Sequence, residues 1–352
     1  MMTATNSNQT SASSPSISIA PRGRGRALLF SAGLAVSALA STIAPAGTPW
    51  VIADLDDLET PYLVGHRGSG VNTGEDSGRP IENTRKSVRE AFQDGVNLVE
   101  VDVQITADGV VVGFHDDFLN DFTCVNSLTL EELRGRVGEV SRLKDILNTA
   151  RSFRRRPEGP GGLLLVELKA PAPLCDPGDT TELAYVSAVV DVILDRDMEQ
   201  QVLLQSFSPT LLQIAASLAP GIERQLLGSV VQFLPPEVVE QVTELPVTII
   251  PKDDFGLEWA EIGPVFRLPG YESIEQFIGI SLVLGSRGVA LDSLILFQAE
   301  MVQPGSGAFL VGAMQMAGLT VMTYTLNTEA EWLFAESLGV DAIISDNIPL
   351  GL

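Results

Sequence analysis

From residue 62 onward, short runs of Val, Ile and Leu alternate with stretches whose apolar residues recur at helical spacing. The runs predict strands over Tyr62–Gly65, Asn97–Val103, Val110–His115, Leu163–Lys169, Gln201–Phe207, Arg224–Leu227, Val289–Leu291, Thr320–Thr325 and Ala342–Ser345. Helices are predicted over Thr84–Asp94, Leu143–Arg154, Thr181–Asp195, Pro209–Leu218, Ala308–Ala317 and Glu329–Leu338. Apolar strands separated by helices indicate a parallel sheet covered on both faces. At this length, and without a Gly-x-Gly-x-x-Gly turn after the first strand, the pattern favours a closed (β/α)8 TIM barrel over a dinucleotide-binding sheet. The strands number one more than eight, so one is short or external.

One connection breaks the alternation. Only Gln104–Gly109 separates two of the strands, and parallel neighbours need a crossover of about a dozen residues or more. A local hairpin is therefore expected. With its turn near Ala107–Asp108, His115 falls opposite Glu100, and Asp102 shares the face of Glu100 because side chains alternate along a strand. The stretch Phe233–Gly285, rich in proline and aromatic residues, is expected to be an irregular insertion on the barrel.

Composition changes the picture first at the N-terminus. Residues 1–21 are polar, small and uncharged; Arg22, Arg24 and Arg26 follow, then 17 uncharged residues from Ala27 to Ile43 and an Ala44-Pro45-Ala46 step. This order reads as an export signal cleaved after Ala46, placing the protein in the periplasm or outside the cell. An uncleaved membrane anchor over 27–43 is the alternative, at the lower limit of spanning length. Residues 47–60 are expected to be a linker and 61–352 the barrel domain.

Over the whole chain the net charge is −23, and loss of residues 1–46 would leave 19 basic against 45 acidic residues, a net −26. Nucleic acid is excluded as a partner on this ground, since phosphate-backbone affinity needs clustered Lys and Arg. The two cysteines, Cys124 and Cys175, each follow a candidate active-site strand, and in an exported protein they invite a disulfide.

The chain holds only two histidines, His66 and His115, each at the end of an apolar run. Histidine titrates nearest neutrality and suits proton transfer. Glu100 and Asp102 lie within Leu98-Val99-Glu100-Val101-Asp102-Val103, and Glu167 and Lys169 repeat the period-two spacing after Leu163. Acids inside apolar strands are costly to bury unless paired or bound to a cation. Singly, each reads as a buried ion pair; three converging carboxylates would form an all-oxygen site suited to Mg²⁺ or Ca²⁺.

The ordered motifs His66-Arg67-Gly68, Pro80-Ile81-Glu82-Asn83-Thr84, Glu100-Val101-Asp102-Val103, Thr106-Ala107-Asp108-Gly109, His115-Asp116 and Glu167-Leu168-Lys169 resemble the glycerophosphodiester phosphodiesterase family. Weaker marks follow in Gln205-Ser206-Phe207, Thr325-Leu326-Asn327 and Gly339–Asp346. The resemblance implies a TIM barrel that hydrolyses phosphodiesters with one divalent cation, Mg²⁺ or Ca²⁺. It implies that Glu100, Asp102 and Glu167 bind the metal and that His66 and His115 form the acid–base pair. Arg67 and Lys169 would hold phosphate oxygens, with Glu82, Asn83, Gln205 and Tyr324 around them. Asn83 and Thr84 read equally well as helix caps. Two departures stand out: Tyr324 occupies a position where the family usually has tryptophan, and Asp121 one where arginine is common.

The substrate implied is a small glycerophosphodiester. A lysophospholipase D- or sphingomyelinase D-like activity on a lysolipid is a neighbouring reading, with membrane association through the N-terminus. A non-catalytic barrel that binds phosphate headgroups is a third.

Overall fold

Strands whose successive residues are mostly apolar need cover on both faces, and here a ring of helices outside and packed side chains within supply it. The computed structural model describes residues 50–70, 78–153, 161–175 and 181–351; the segment expected to direct export lies outside the described residues. In chain order the elements are β1 (Tyr62–Gly65), α1 (Arg85–Gln93), β2 (Leu98–Ile105), β3 (Val111–Gly113), α2 (Leu130–Val137), α3 (Leu143–Arg151), β4 (Leu163–Leu168) and α4 (Glu182–Leu194). There follow β5 (Val202–Ser206), α5 (Pro209–Leu218), β6 (Glu223–Gly228), α6 (Pro236–Thr243), β7 (Val247–Ile250), β8 (Trp259–Ile262), β9 (Phe266–Pro269) and α7 (Ile274–Val283). The chain closes with β10 (Gly288–Asp292), α8 (Ser293–Val302), α9 (Ser306–Met316), β11 (Thr320–Tyr324), α10 (Glu329–Leu338) and β12 (Ala342–Ser345).

Eight parallel strands run β1-β2-β4-β5-β6-β10-β11-β12, and β12 pairs back to β1, with Tyr62 opposite Ala342 and Gly65 opposite Ser345. This is a TIM barrel. Period-two alternation divides its strands cleanly. Val99, Val101, Val103, Leu164, Val166 and Leu168 pack outward under the helices. Leu98, Leu163, Leu165, Leu203, Leu227, Ala290, Met322 and Ala342 form a separate apolar cluster that fills the interior. Each fully buried Leu, Val or Met stabilises the fold by roughly 1.5–3 kcal/mol relative to exposure.

Residues 50–60 are not the linker expected. Ile52–Asp57 form a 3-10 helix whose Ile52 and Leu55 are buried in the interior cluster, and the Ile52 amide donates to the carbonyl of Gln200, just before β5. The turn thus closes the amino-terminal end of the barrel. Its sequence, Ile-Ala-Asp-Leu-Asp-Asp, is too short and too acidic to announce a buried role.

The hairpin of β2 and β3 is antiparallel, as the short connection requires, but its register is one residue from the expected one. Val103 faces Gly113 and Ile105 faces Val111, which would set His115 opposite Val101, and regular pairing stops at Gly113. Gly113 permits the close approach that ends the strand: a Cβ there would lie 2.1 Å from the Asn83 carbonyl oxygen.

The Phe233–Gly285 stretch is more ordered than its prolines suggest. It carries α6 and a separate antiparallel sheet, β7-β8-β9, in which Ile250 faces Trp259 and Ile262 faces Phe266. Its last part, α7, places Phe277 and Ile280 in the apolar cluster beneath β6 and β10 and so belongs to the barrel proper. Cys124 and Cys175 are joined by a disulfide, which ties the loop after β3 to the loop after β4. Among the described residues no helix is long and apolar enough to cross a membrane.

Candidate active site

The interior-facing positions change character as the strands rise. On β2 the inward series runs Leu98, Glu100, Asp102; on β4 it runs Leu163, Leu165, Glu167 and continues to Lys169 just beyond it. Asp102 stands opposite Glu167 across the parallel pair. The same parity brings His66 beyond β1, Gln205 and Phe207 on and beyond β5, Leu227 on β6, Tyr324 on β11 and Asp346 beyond β12 to the carboxyl end. This is the end at which barrel enzymes place their chemistry. A pocket of about 170 Å³ there is lined by His66, Arg67, Glu100, Asp102, His115, Glu167, Lys169, Gln205, Phe207, Leu227 and Tyr324, among others. Every residue assigned to catalysis, metal or phosphate from the sequence thus reaches one pocket.

Carboxylate oxygens of Glu100, Asp102 and Glu167 lie within 4.8 Å of one another, and all three residues are buried. Lys169 Nζ sits 3.0 Å from Asp102 Oδ1 and 2.8 Å from Glu167 Oε1. Arg67 Nη1 pairs with Glu82 Oε1 at 2.8 Å, and its Nε lies 3.5 Å from Asp102 Oδ2. Glu82 is therefore placed on Arg67 rather than among the three clustered acids. Asn83 grips Asp102 twice: its Nδ2 donates to Oδ2 at 3.0 Å, and its Oδ1 accepts from the Asp102 amide at 2.8 Å. Thr84, its neighbour, caps α1 by accepting from the Ser87 amide. Gln205 reaches Glu167 Oε2 at 3.4 Å and is itself held by Gln225 at 3.0 Å.

The electrostatics are uneven. Burial raises the pKa of Glu100 well above the usual carboxylate range, and the charges of Asp102 and Glu167 add to the shift. Burial also acts on Asp102, but Lys169, then His115 and Arg67, hold it well below that range. Asp102 and Glu167 in turn keep Lys169 charged against the cost of its burial, with its pKa above the ordinary lysine value. Glu100 Oε2 accepts from the Arg67 amide at 2.8 Å, whereas its Oε1 is buried without a hydrogen-bond partner. A buried acceptor without a donor is uncommon and costly. A hard divalent cation would satisfy it, and three convergent carboxylates provide the donor set such an ion prefers.

Both histidines are oriented by carboxylates. His66 Nδ1 lies 2.7 Å from Asp346 Oδ1, and His115 Nδ1 lies 2.6 Å from Asp116 Oδ1. A carboxylate can only accept, so Nδ1 carries the hydrogen and leaves Nε2 for chemistry. Asp346 is fixed from behind, with Asn327 Nδ2 donating to its Oδ2 at 2.8 Å and Asn327 Oδ1 accepting from its amide at 2.9 Å. Sequence reasoning gave no role to Asp346 or Asn327; the signal present was the inward parity of Ala342, Ile344 and Asp346. The turn that presents His66 needs Gly68. Its φ is +98°, and a Cβ there would come within 2.1 Å of Ser87 Oγ.

Apolar side chains complete one wall. Phe207 and Tyr324 meet edge to face with ring centroids 6.3 Å apart, and Tyr324 Oη donates to the Gly228 carbonyl at 3.0 Å. Tyr324 therefore turns its hydroxyl to the β6 backbone and its ring to the pocket. Asp121 pairs with Arg136 at 3.0 Å, away from the pocket.

Comparison with known proteins agrees with this geometry. The family model described as the glycerophosphoryl diester phosphodiesterase family matches residues 66–350. A glycerophosphocholine phosphodiesterase of Eremothecium gossypii is 32% identical over 125 residues, which are 34% of this chain and 9% of that protein; the chain thus spans only a small part of that relative's length. A candidate glycerophosphoryl diester phosphodiesterase from Silicibacter pomeroyi superimposes with a TM-score of 0.58 at 22% identity, covering 87% of this chain and 93% of the other. A phosphodiesterase of Oleispira antarctica, solved with the product sn-glycerol-3-phosphate, gives a TM-score of 0.52 at 22% identity, over 82% and 94% of the two chains. At such identities the solved structures show the shared fold alone.

Proposed function

The chain belongs to the glycerophosphoryl diester phosphodiesterase family, and from that membership we propose that it hydrolyses glycerophosphodiesters to glycerol 3-phosphate and an alcohol. The observation that carries the reading is the meeting of three buried carboxylates, two carboxylate-oriented histidines and two cationic side chains in one pocket. Glu100, Asp102 and Glu167 would hold one divalent cation, Mg²⁺ or Ca²⁺; when bound it supplies Lewis-acid stabilisation of charge on the phosphoryl oxygens. Arg67 and Lys169, fixed by Glu82, Asp102 and Glu167, stand ready to take the remaining phosphate oxygens. Nε2 of one histidine would remove the proton of the attacking hydroxyl, and Nε2 of the other would return a proton to the leaving alkoxide; where the attacker is the substrate's own glycerol hydroxyl, water then opens the cyclic phosphate to glycerol 3-phosphate. Two imidazoles, each with Nδ1 held by a carboxylate and Nε2 turned to the pocket, favour proton transfer over a barrel that merely binds headgroups.

A second reading is favoured by Phe207, Leu227, Tyr324 and Ile344 in the same pocket. Such a wall would accept the apolar part of a lysolipid, giving a lysophospholipase D-like activity. The N-terminal 46 residues would direct export or tether the protein, and the Cys124–Cys175 bond supports an oxidising compartment. The test is turnover of glycerophosphocholine against lysophosphatidylcholine, with and without divalent metal. Metal-dependent release from the first supports the main reading, and no release from either substrate under any condition overturns it.

A further inference from the structure

On a helix of a soluble domain, the positions that repeat at i, i+3 and i+7 on the solvent side are normally polar. On α8 that series is Leu294, Phe297 and Met301, all exposed, and Val302 beside them is 87% exposed. The neighbouring α9 repeats the inversion, with Phe309 74% and Met316 82% exposed one heptad apart. These two helices pack against each other, and Phe297 meets Phe334 of α10 with ring centroids 5.8 Å apart. In a chain with 19% charged residues, Met301 to Thr328 contains none. Glu300, just before that stretch, is turned inward: its carboxylate accepts from the amides of Gly305 and Gly307 at the start of α9.

We propose that the outward faces of α8 and α9 dock this protein on an uncharged lipid surface. Protein interfaces carry about one hydrogen bond per 100–200 Å², and this face offers them the uncharged Gln298 and Gln303 but no charged side chain between Met301 and Thr328. Gln315, the polar side chain nearest Met316, is committed to the Gly339 carbonyl and Asp341. Anionic lipid is disfavoured by the net charge of −23, whereas a zwitterionic surface imposes no such repulsion. The helices have 10 and 11 residues, about 15 Å each, half of a hydrocarbon core, so they lie in the interface and do not cross it. Location adds a reason. The α8 helix leaves the carboxyl end of β10, and the 3-10 turn Val230–Phe233 leaves the carboxyl end of adjacent β6. Between them runs a groove of about 380 Å³ whose apolar wall is Phe233, Leu234, Ile295 and Val302, with Gln298, Gln303 and Ser306 as its polar members. The α8 side of the docking face therefore adjoins the carboxyl end of the barrel, and α9 carries the face from there toward Met316, four residues before β11 begins.

The experiment reads binding, not catalysis, so it stands apart from the proposed activity. The full chain and its Met301→Gln/Val302→Gln/Phe309→Gln/Met316→Gln variant, which spares the Phe297–Phe334 contact, are sedimented with phosphatidylcholine vesicles, with thermal unfolding as the fold control. The variant is expected to unfold at the same temperature and to lose at least tenfold in partition. Because both native cysteines are bonded, Met316→Cys also provides a unique site for a nitroxide label. On adding vesicles the label is expected to become accessible to oxygen and protected from a water-soluble nickel complex. An unchanged label, equal partition of both proteins, or a native dimer that the variant abolishes would each overturn the proposal.

Discussion

Asp346 follows His66 by 280 residues and stands 2.7 Å from it, Oδ1 to Nδ1. The pair closes the barrel chemically at the seam where β12 meets β1. Asn327 holds the carboxylate's other oxygen, so His66 inherits its ring orientation from two loops at the opposite end of the chain. Replacing Asp346 by Ala is expected to lower kcat by about 10-fold or more with little change in KM, and to alter the pH profile of kcat. His66→Ala and His115→Ala should each cost roughly 10²–10⁴-fold. Steady-state kinetics on glycerophosphocholine, with circular dichroism to confirm the fold, is the check. Wild-type turnover in either histidine variant would refute the acid–base pair.

Metal removal offers a second prediction. Chelation is expected to abolish turnover, and Mg²⁺ or Ca²⁺ to restore it, because Glu100, Asp102 and Glu167 converge within 4.8 Å. Glu100→Gln should weaken metal binding in titration calorimetry and reduce activity without unfolding the barrel. Full activity in excess chelator would refute the cation site.

Glu100 also sets a pH dependence of stability. Its pKa in the folded, metal-free protein is raised by burial and by Asp102 and Glu167, so folding favours its protonated form. That contribution is complete below the unfolded carboxylate range and is lost as pH rises through the raised value. The melting temperature of chelated protein should therefore gain less, or fall, on going from mildly acidic to alkaline pH. Glu100→Gln should flatten the dependence, and saturating metal should reverse it. Identical pH profiles for wild type and Glu100→Gln would sink the assignment.

The disulfide spans 51 residues. Chain-entropy reasoning assigns such a loop about 4 kcal/mol of stabilisation. Cys124→Ser/Cys175→Ser is expected to unfold at a clearly lower denaturant concentration. The loops it joins carry Asp117 and follow Lys169, so turnover should fall as well. Unchanged urea midpoints would show that the native loops are held by other contacts.

Much of the barrel was legible because its strands are apolar on both faces and short enough to bound. Helix α5 coincides with its expected range, Pro209–Leu218, since Ser208 caps it and proline begins it. Helices α7 and α8 were not foreseen: they are apolar around most of their circumference, so no polar face marks a period. The three catalytic-strand acids were visible because charge inside Val and Leu runs is conspicuous. Asp346 was visible only as part of a motif, since its partner is fixed by barrel closure, which no local pattern records. Hairpin register failed by one residue because Gly109, with φ of +75°, lengthens the turn beyond a symmetric centre.

The inward series of each strand is apolar near its start and polar near its end, so a single strand serves two trades in separate storeys. Leu163 and Leu165 fill the interior, while Glu167, two residues on, faces the pocket. Substitution at Phe207 or Tyr324, which border the interior cluster, would redraw the pocket wall with less cost to the lower storey than one at Leu227, which belongs to both. Such a division separates the two kinds of change: a rim side chain alters what the pocket can hold, whereas an interior one alters whether the barrel stands.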